Sequence, residues 1–197
     1  MKHAQIKQQK PEGGRYDDCD TPPYAVNLLL RKNHPIRWAA NRRIVLDPAC
    51  GNGFILTAVR QLGLTAHGKD IKTGDDFLQS YGATGRVIIT NPPYSGNLKA
   101  KFLAKCYELN VPFALLMPLE FIGTQAYYKT SLKYDKWCNL LIPSRRIDFG
   151  MPDKGWSAGG AQFPTAWYWW TGPSVPIIRL IDLPAEIKKD WKESTLA

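Results

Sequence analysis

The chain has 197 residues, of which 44% are hydrophobic and 12% aromatic, enough to build one domain with a substantial core. Its four cysteines follow no metal-binding spacing and no paired pattern, so the sequence predicts no metal site and no disulfide framework, and we expect a cytoplasmic protein. The polar N-terminus does not resemble a signal peptide, and no apolar run approaches the roughly 20 residues that span a bilayer. These features argue against a secreted disulfide scaffold and against an integral membrane protein.

Lysine and arginine outnumber aspartate and glutamate by 26 to 17, which gives a formal charge of +9 and a pI near 9.4. A positive field of this size favours polyanionic partners, of which nucleic acid is the first candidate. The same charge can equally serve only to keep the domain soluble. Composition alone does not decide between these two interpretations.

The first half of the chain predicts a strand, glycine turn and helix unit that follows an initial helix. Residues 1–15 are polar and basic and are expected to form a mobile arm, with the folded domain over residues 16–197. A helix is predicted within DTPPYAVNLLLRK, with Asp20 or Thr21 as its N-cap and Pro22 in its first turn. RRIVLDPA then predicts a short buried strand, CGNGF a turn, and ILTAVRQLG a helix that Gly63 ends.

The rest of the chain continues this alternation of strands and helices. TAHGKD and RVIIT predict strands separated by a loop with GDDFLQSYG, followed by a helix in LKAKFLAKCYEL, a strand in PFALLMP and a basic helix in QAYYKTSLKYDKW. Late strands, which can include a hairpin, are predicted in CNLLIPS, RRIDFG, TAWYWWT and VPIIRLI, and TAWYWWT is expected at the centre of the sheet because it is apolar on both faces. The pattern predicts an α/β fold with a mostly parallel sheet and helices on both faces.

Three loops follow predicted strands and should meet in one crevice, because ligands bind beyond the carboxyl ends of parallel strands. In the first loop, Gly51 and Gly53 permit a tight turn before a helix, although such a turn also occurs in simple strand-to-helix packing. The full dinucleotide-binding pattern is absent because residue 56 is leucine. Asp70 follows Asp47 by 23 positions, a spacing consistent with a carboxylate that binds ribose hydroxyls, so a cofactor that contains a nucleoside is indicated.

Taken in order, VLDPACGNGF, KDI, DDF and NPPY resemble the motifs of S-adenosylmethionine-dependent amino-methyltransferases, especially the DNA adenine-N6 enzymes, over roughly residues 16–170. Because DTPPYAV precedes the glycine turn, the motif order resembles the gamma class. The resemblance implies a single Rossmann-like class I methyltransferase domain with a late antiparallel strand, S-adenosylmethionine as cofactor and DNA as substrate.

The resemblance also implies a set of cofactor contacts. The methionine end lies against the glycine turn and DTPPYAV, the ribose against Asp70, and the adenine against Asp76, which accepts its amino hydrogen, and Phe77, which packs against its ring. The implied cofactor-binding residues are Thr21, Pro22, Asp47, Pro48, Ala49, Cys50, Gly51, Gly53, Asp70, Ile71, Asp76, Phe77 and Asn91.

The catalytic residues implied by NPPY are Asn91, Pro92, Pro93 and Tyr94. An exocyclic amino nitrogen is a poor nucleophile because its lone pair is delocalised into the ring. The Asn91 side-chain oxygen and the Pro92 carbonyl can accept its two N–H bonds and direct the lone pair toward a methyl donor, while the prolines hold the loop in shape. Tyr94 then offers an aromatic face to a base flipped out of the duplex. In isolation NPPY is equally consistent with an ordinary turn and a surface tyrosine, but four ordered motifs together favour a methyltransferase.

Other substrates carry the same tetrapeptide and remain open. NPPY also occurs in enzymes that methylate glutamine of release factors, which normally have an N-terminal helical domain, and in some RNA methyltransferases. Only about 40 residues precede the first predicted strand, too few for that helical domain. Cytosine-N4 enzymes more often have serine in place of Asn91, so adenine is favoured. A catalytically silent nucleic-acid-binding subunit would be expected to lose NPPY or DPACG, and both are intact here.

Basic side chains predict a path for a nucleic-acid backbone, with a solvated surface as the alternative. The predicted helix places three of them on one face and the late strands place two more nearby: Lys129, Lys133, Lys136, Arg145 and Arg146.

The segment RIDFGMPDKGWSAGGAQF resembles the region that packs a second aromatic ring against the target base in this family, which nominates Phe149 and, as second choice, Phe163. Its glycines and polar residues suggest a mobile loop. The chain has no evident room for a separate recognition domain, so we expect a short target sequence of a few base pairs, unless a partner subunit supplies further base contacts.

Overall fold

The computed structural model of the chain describes residues 17–79, 82–150 and 163–196. Seven strands form one sheet in the spatial order β2-β1-β3-β4-β6-β5-β7. In chain order the strands are β1 Ile44–Asp47, β2 Ala66–Gly68, β3 Arg86–Thr90, β4 Phe113–Pro118, β5 Asn139–Pro143, β6 Thr165–Trp170 and β7 Ile178–Ile181.

Parallel pairing dominates this sheet. Strands β2, β1, β3 and β4 are parallel neighbours, and β5 is parallel to β7. Strand β6 runs antiparallel between β4 and β5. The predicted mostly parallel α/β sheet with a late antiparallel strand is therefore confirmed.

Helices cover both faces of the sheet, and the sheet separates the core into two apolar clusters. Residues of α1, α2 and α3 belong to the first cluster, against which Trp191 of α6 also packs, and residues of α4 and α5 belong to the second. The helices are α1 Pro23–Leu29, α2 Pro35–Ala40, α3 Phe54–Gln61, α4 Leu98–Leu109, α5 Gln125–Tyr134 and α6 Ala185–Leu196. No helix among the described residues is both long and apolar enough to cross a membrane.

The aromatic strand β6 is a buried interior strand of the sheet, between β4 and β5, as its two apolar faces predict. Trp167 is fully buried and donates its indole N–H to the Ala25 carbonyl in α1, 2.9 Å away. On the opposite face Tyr168 donates its hydroxyl to the Pro118 carbonyl at the end of β4, also at 2.9 Å. These two bonds fix β6 to a helix on one side and to a strand end on the other, so TAWYWW is a core element and not a base-stacking surface.

Four details differ from the sequence-based expectation. RRIDFG forms no strand; within it only Gly150 makes a backbone bridge, with Asp20. The residue that caps α1 is Pro22 and not Asp20 or Thr21, since the helix begins at Pro23 and has no side-chain cap.

Helix α2 was not predicted, because its cap is a histidine: Nδ1 of His34 accepts from the Ile36 N–H at 3.2 Å, and histidine is not a usual capping residue. Helix α6 was not predicted either, and Leu183, just before it, is fully buried.

Candidate active site

The three motif loops meet at the carboxyl ends of β1, β2 and β3, as predicted. The Gly51 N–H donates to Oδ2 of Asp70 at 2.9 Å, which ties the glycine turn after β1 to the loop after β2. The Cys50 N–H donates to the Lys69 carbonyl at 3.0 Å, and the Lys69 N–H donates to the Asp47 carbonyl at 2.9 Å. These two loops therefore form one connected wall of the crevice.

The glycine turn has the backbone shape that only glycine adopts readily. Gly51 and Gly53 have φ values of 48° and 82°, and Gly53 is the N-cap of α3. A Cβ built at Gly51 would meet no atom within 4 Å, so the turn faces open space. The crevice thus has a glycine backbone and a helix N-terminus at its wall.

Asp47 ends β1 with its side chain almost completely buried, at 1% exposure. Its Oδ1 accepts from the Ala49 N–H at 3.2 Å, and its carboxyl also forms a side-chain hydrogen bond with Thr90 at the end of β3. Burial raises the pKa of this carboxyl from its ordinary 3.8 to about 7. Pro48 beside it is buried, and Ala49 and Cys50 are half-buried. Burial also raises the pKa of the Cys50 thiol, which argues against this cysteine as a nucleophile.

Asp70 follows β2 and organises the second loop. Besides Gly51, it accepts from the Lys72 N–H, with 2.9 Å between Oδ1 and the nitrogen, and so caps a short 3₁₀ helix at Ile71–Thr73. Ile71 beside it is 68% exposed. A carboxylate with free lone pairs and a neighbouring exposed apolar side chain suit a ribose and an adjoining base.

Asp76 and Phe77 are neighbours in the chain, but Asp76 is half-buried whereas Phe77 lies in the core. Oδ1 of half-buried Asp76 accepts from the Leu78 N–H at 2.9 Å and starts a 3₁₀ helix at Phe77–Gln79. That turn directs Phe77 into the core, where it is 5% exposed and packs against Phe102 with ring centroids 5.1 Å apart. The expected packing of Phe77 on a cofactor ring is therefore not the arrangement found, and Ile71 is the exposed apolar side chain in this loop.

Asn91 lies directly after β3, and a backbone carbonyl binds the nitrogen of its side-chain amide. Its Nδ2 donates to the Cys19 carbonyl at 3.5 Å, while Oδ1 is buried and makes no hydrogen bond with the described residues. The hydroxyl of Thr90, the preceding residue, is buried and forms a side-chain hydrogen bond with Asp47. Pro92 is buried and Pro93 is half-buried. The loop thus contains, next to two prolines, an amide oxygen for which the described part of the chain supplies no donor.

Tyr94 closes this loop and has a fixed ring. Its hydroxyl donates to the Leu116 carbonyl of β4 at 3.0 Å, and its ring centroid lies 6.0 Å from that of Phe163. Phe149, the first choice for a second aromatic, is only 6% exposed and belongs to the first apolar cluster. The second choice, Phe163, is therefore the ring that lies beside Tyr94. Residues 151–162 of the segment between these phenylalanines lie outside the described part of the chain, as does the N-terminal arm at residues 1–15.

The segment before α1 lies beside all three loops. Thr21 and Pro22 are buried, and Asp20 accepts from Nδ2 of Asn52 in the glycine turn at 3.0 and 3.1 Å. The Cys19 carbonyl, which orients Asn91, was not predicted from the sequence, because a backbone acceptor leaves no trace in residue type. In the described residues no three His, Cys, Asp or Glu side chains lie close enough together to hold a metal ion.

The basic side chains divide into two groups. Lys129, Lys133, Arg145 and Arg146 are exposed. Lys136 is not on the predicted helical face, because α5 ends at Tyr134. Its ammonium instead donates to the Tyr107 carbonyl and to Oδ1 of Asn110, both at 2.8 Å, and burial lowers its pKa. Lys136 therefore links the end of α5 to α4, and its ammonium binds these two oxygens and is not the free contact for a nucleic-acid backbone that was expected.

No protein-family model and no curated protein matches this sequence. Solved structures do resemble its fold. A proposed class I S-adenosylmethionine-dependent methyltransferase of Listeria monocytogenes matches with a TM-score of 0.56 and 15% identity over 93% of this chain and 72% of its own. A proposed RNA methyltransferase of Pyrococcus horikoshii matches with a TM-score of 0.58 and 13% identity over 88% of this chain and 94% of its own. A Thermoplasma acidophilum protein matches with a TM-score of 0.50 and 13% identity over 77% of this chain and 90% of its own. The chain therefore has the class I methyltransferase fold.

Proposed function

We propose that this protein transfers a methyl group from S-adenosylmethionine to the N6 amino group of adenine in DNA. The observation that carries the proposal is the Asn91 side-chain oxygen, buried and unbonded by the described residues, on an amide that the Cys19 carbonyl orients. It stands beside two prolines and a paired aromatic ring, at the ligand-binding edge of a methyltransferase fold. A buried amide oxygen without a donor costs free energy, and an amino group entering the site would supply that donor.

The residues at the crevice fit the cofactor. Asp47 offers a buried carboxyl near the glycine turn, where the ammonium group of a methionine moiety would bind. Asp70 is the candidate for the ribose hydroxyls, and exposed Ile71 with Asp76 is the candidate for the adenine. When bound, the cofactor supplies an electrophilic methyl group on a sulfonium sulfur.

The protein's own residues make the adenine amino group nucleophilic. Asn91 Oδ1 accepts one N–H of that group and the Pro92 carbonyl accepts the other, so the nitrogen moves from planar toward tetrahedral geometry and its lone pair becomes available. The two prolines lock φ on both sides of the Pro92 carbonyl, so the acceptors need no rearrangement when the base arrives. Tyr94 and Phe163 present rings for the flipped base, and stacking of this kind contributes about 1–3 kcal/mol per base.

Adenine N6 in RNA is the second candidate, because one of the structural neighbours is described as an RNA methyltransferase. The amino-group chemistry is identical in both nucleic acids, so the same Asn91 and Pro92 acceptors would serve. The exposed cations suit either backbone.

The test is a labelled-methyl assay on DNA, RNA and protein substrates, with Asn91→Ala as the variant. We expect turnover to fall by about 100-fold or more with nearly unchanged cofactor affinity by calorimetry, since removing one preorganised acceptor costs about 2.7–4 kcal/mol in the transition state. Asn97→Ala is a matched control, because Asn97 precedes α4 without a side-chain cap and is exposed. Methylation of protein alone, or full activity of Asn91→Ala, would overturn the proposal.

A further inference from the structure

We propose that Asp17 is a positioning residue for the target-base loop, an inference that rests on the function proposed above. Oδ1 of its half-buried carboxylate accepts two backbone N–H groups, from Tyr94 at 2.7 Å and from Ser95 at 2.9 Å. Asp17 lies 77 positions before Tyr94 in the chain. The loop that presents the base-stacking ring is thus fixed by a residue that is distant from it in sequence.

The loop cannot hold this shape with its own backbone bonds. Pro92 and Pro93 have no N–H, and the residues from Asn91 to Tyr94 belong to no helix or strand. The first N–H groups after the prolines are those of Tyr94 and Ser95, and both are directed to Asp17. A carboxylate that accepts two adjacent N–H groups makes charge-assisted bonds, which are stronger than neutral ones.

Tyr94 is held on two further sides. Lys99 in the first turn of α4 donates its ammonium to the Tyr94 carbonyl, and the Tyr94 hydroxyl donates to Leu116 in β4. With Asp17 on the N–H, every polar group of Tyr94 has a protein partner. The ring direction is therefore set before a base arrives, which is what a preorganised site requires.

The same short segment also orients the catalytic amide. Two residues after Asp17, the Cys19 carbonyl accepts from Asn91 Nδ2 and so directs Oδ1 toward the crevice. The neighbouring Asp18 makes a different contact, a surface ion pair with Lys72 in the loop after β2. Within this segment, the Asp17 side chain binds the backbone of the substrate loop, and its loss should lower turnover without weakening cofactor binding.

Two variants and one control test the assignment. Asp17→Ala removes the acceptor, whereas Asp17→Asn keeps an Oδ1 that can accept both N–H groups. We expect a roughly ten-fold lower kcat for Asp17→Ala and recovery to within about three-fold of wild type for Asp17→Asn, since hydrogen bonds to a charged group contribute more than neutral ones. The KM for S-adenosylmethionine should stay unchanged in both. Asp18→Asn, with the same loss of charge one position away, should keep the wild-type kcat.

A second measurement does not depend on activity. Amide hydrogen exchange by NMR should accelerate at Tyr94 and Ser95 in Asp17→Ala, and much less in Asp17→Asn. Unchanged exchange, or unchanged kcat in an active Asp17→Ala protein, would overturn the positioning role while the proposed function stands. If the wild-type protein methylates no adenine, the proposed function fails, and the catalytic consequence of Asp17 fails with it even where the exchange result holds.

Discussion

Two side chains at the ends of β1 and β3 are buried at a cost to folding: Oδ1 of Asn91 has no hydrogen-bond donor among the described residues, and burial raises the pKa of the Asp47 carboxyl. A buried acceptor without a donor costs about 1–3 kcal/mol of folding free energy. Their concentration in one place indicates a site that is built to receive donors from a ligand, at the expense of stability in the unliganded chain.

Asp47→Asn should stabilise the unliganded protein at neutral pH. The folded protein holds the Asp47 proton more tightly than the unfolded chain, because burial raises the pKa from 3.8 to about 7. The stability contributed by the protonated carboxyl is fully present below about pH 4 and is lost as the pH rises through about 7. A pKa change of that size corresponds to about 4 kcal/mol at most. Urea unfolding of both proteins between pH 4 and 8 measures the difference.

The test uses the difference between the unfolding free energies of the two proteins at each pH, because His34 titrates in the same range. Burial lowers the pKa of His34 to about 4, so its contribution is present above about pH 6.5 and is lost as the pH falls. That trend is shared by wild type and variant and cancels. Parallel stability profiles for wild type and Asp47→Asn would contradict the role given to Asp47.

Asp70→Ala should weaken S-adenosylmethionine binding by at least about ten-fold, since it removes a charged acceptor and also frees the Gly51 N–H that Asp70 holds. Calorimetry gives the affinity directly. Asp75→Ala is the matched control, because Asp75 belongs to the same loop but forms only a partly exposed ion pair with Lys69. Equal cofactor affinity in the two variants would assign the ribose site elsewhere.

At the scale of structural elements, Gly68 at the end of β2 lies in close contact with α3 and with the glycine turn. A Cβ at this position would lie 2.5 Å from Cδ1 of Leu56 in α3 and 2.9 Å from Sγ of Cys50 in the glycine turn. Gly68 has no positive φ, so its requirement is space and not backbone conformation. The last residue of β2 thus limits how closely the glycine turn and α3 can lie against the sheet.

Gly68→Ala should therefore destabilise the fold by about 1–3 kcal/mol and weaken cofactor binding, because the side chains of Leu56 and Cys50 must shift to make room. Gly123→Ala provides the control: it also has no positive φ, and its added Cβ would meet nothing within 4 Å. Thermal unfolding and calorimetry should show a loss only for Gly68→Ala. Wild-type stability in that variant would mean that Leu56 and Cys50 yield without cost.

For the molecule as a whole, the net charge of +9 predicts binding to nucleic acid that weakens steeply with salt. Alanine at Lys129, Lys133, Arg145 and Arg146 should each lower the slope of log K against log salt by about 0.9 for every phosphate contact that is lost. Lys136→Ala should leave that slope unchanged and instead lower thermal stability, because its ammonium binds Tyr107 and Asn110. Fluorescence anisotropy with duplex and single-stranded oligonucleotides measures the slopes, and a flat plot for wild type would point to a protein or small-molecule substrate.

Local patterns were sufficient to predict most of the architecture. The apolar runs of β1, β3 and β4, the helix α4 and the glycine turn all depend on residues close together in sequence, and the structure confirms each of them. The convergence of the three motif loops also followed, because the carboxyl ends of parallel strands meet at one edge of a sheet.

Contacts between distant segments decided the rest of the site. Phe77 turns into the core while Ile71 stays exposed, and Phe163, not Phe149, lies beside Tyr94. No periodicity in the sequence distinguishes these pairs, since each choice depends on what the neighbouring element covers. Asp17 reaches the NPPY loop only because the segment before α1 runs past the end of β3, and a hydrogen bond to a backbone N–H 77 positions away leaves no local pattern to predict it.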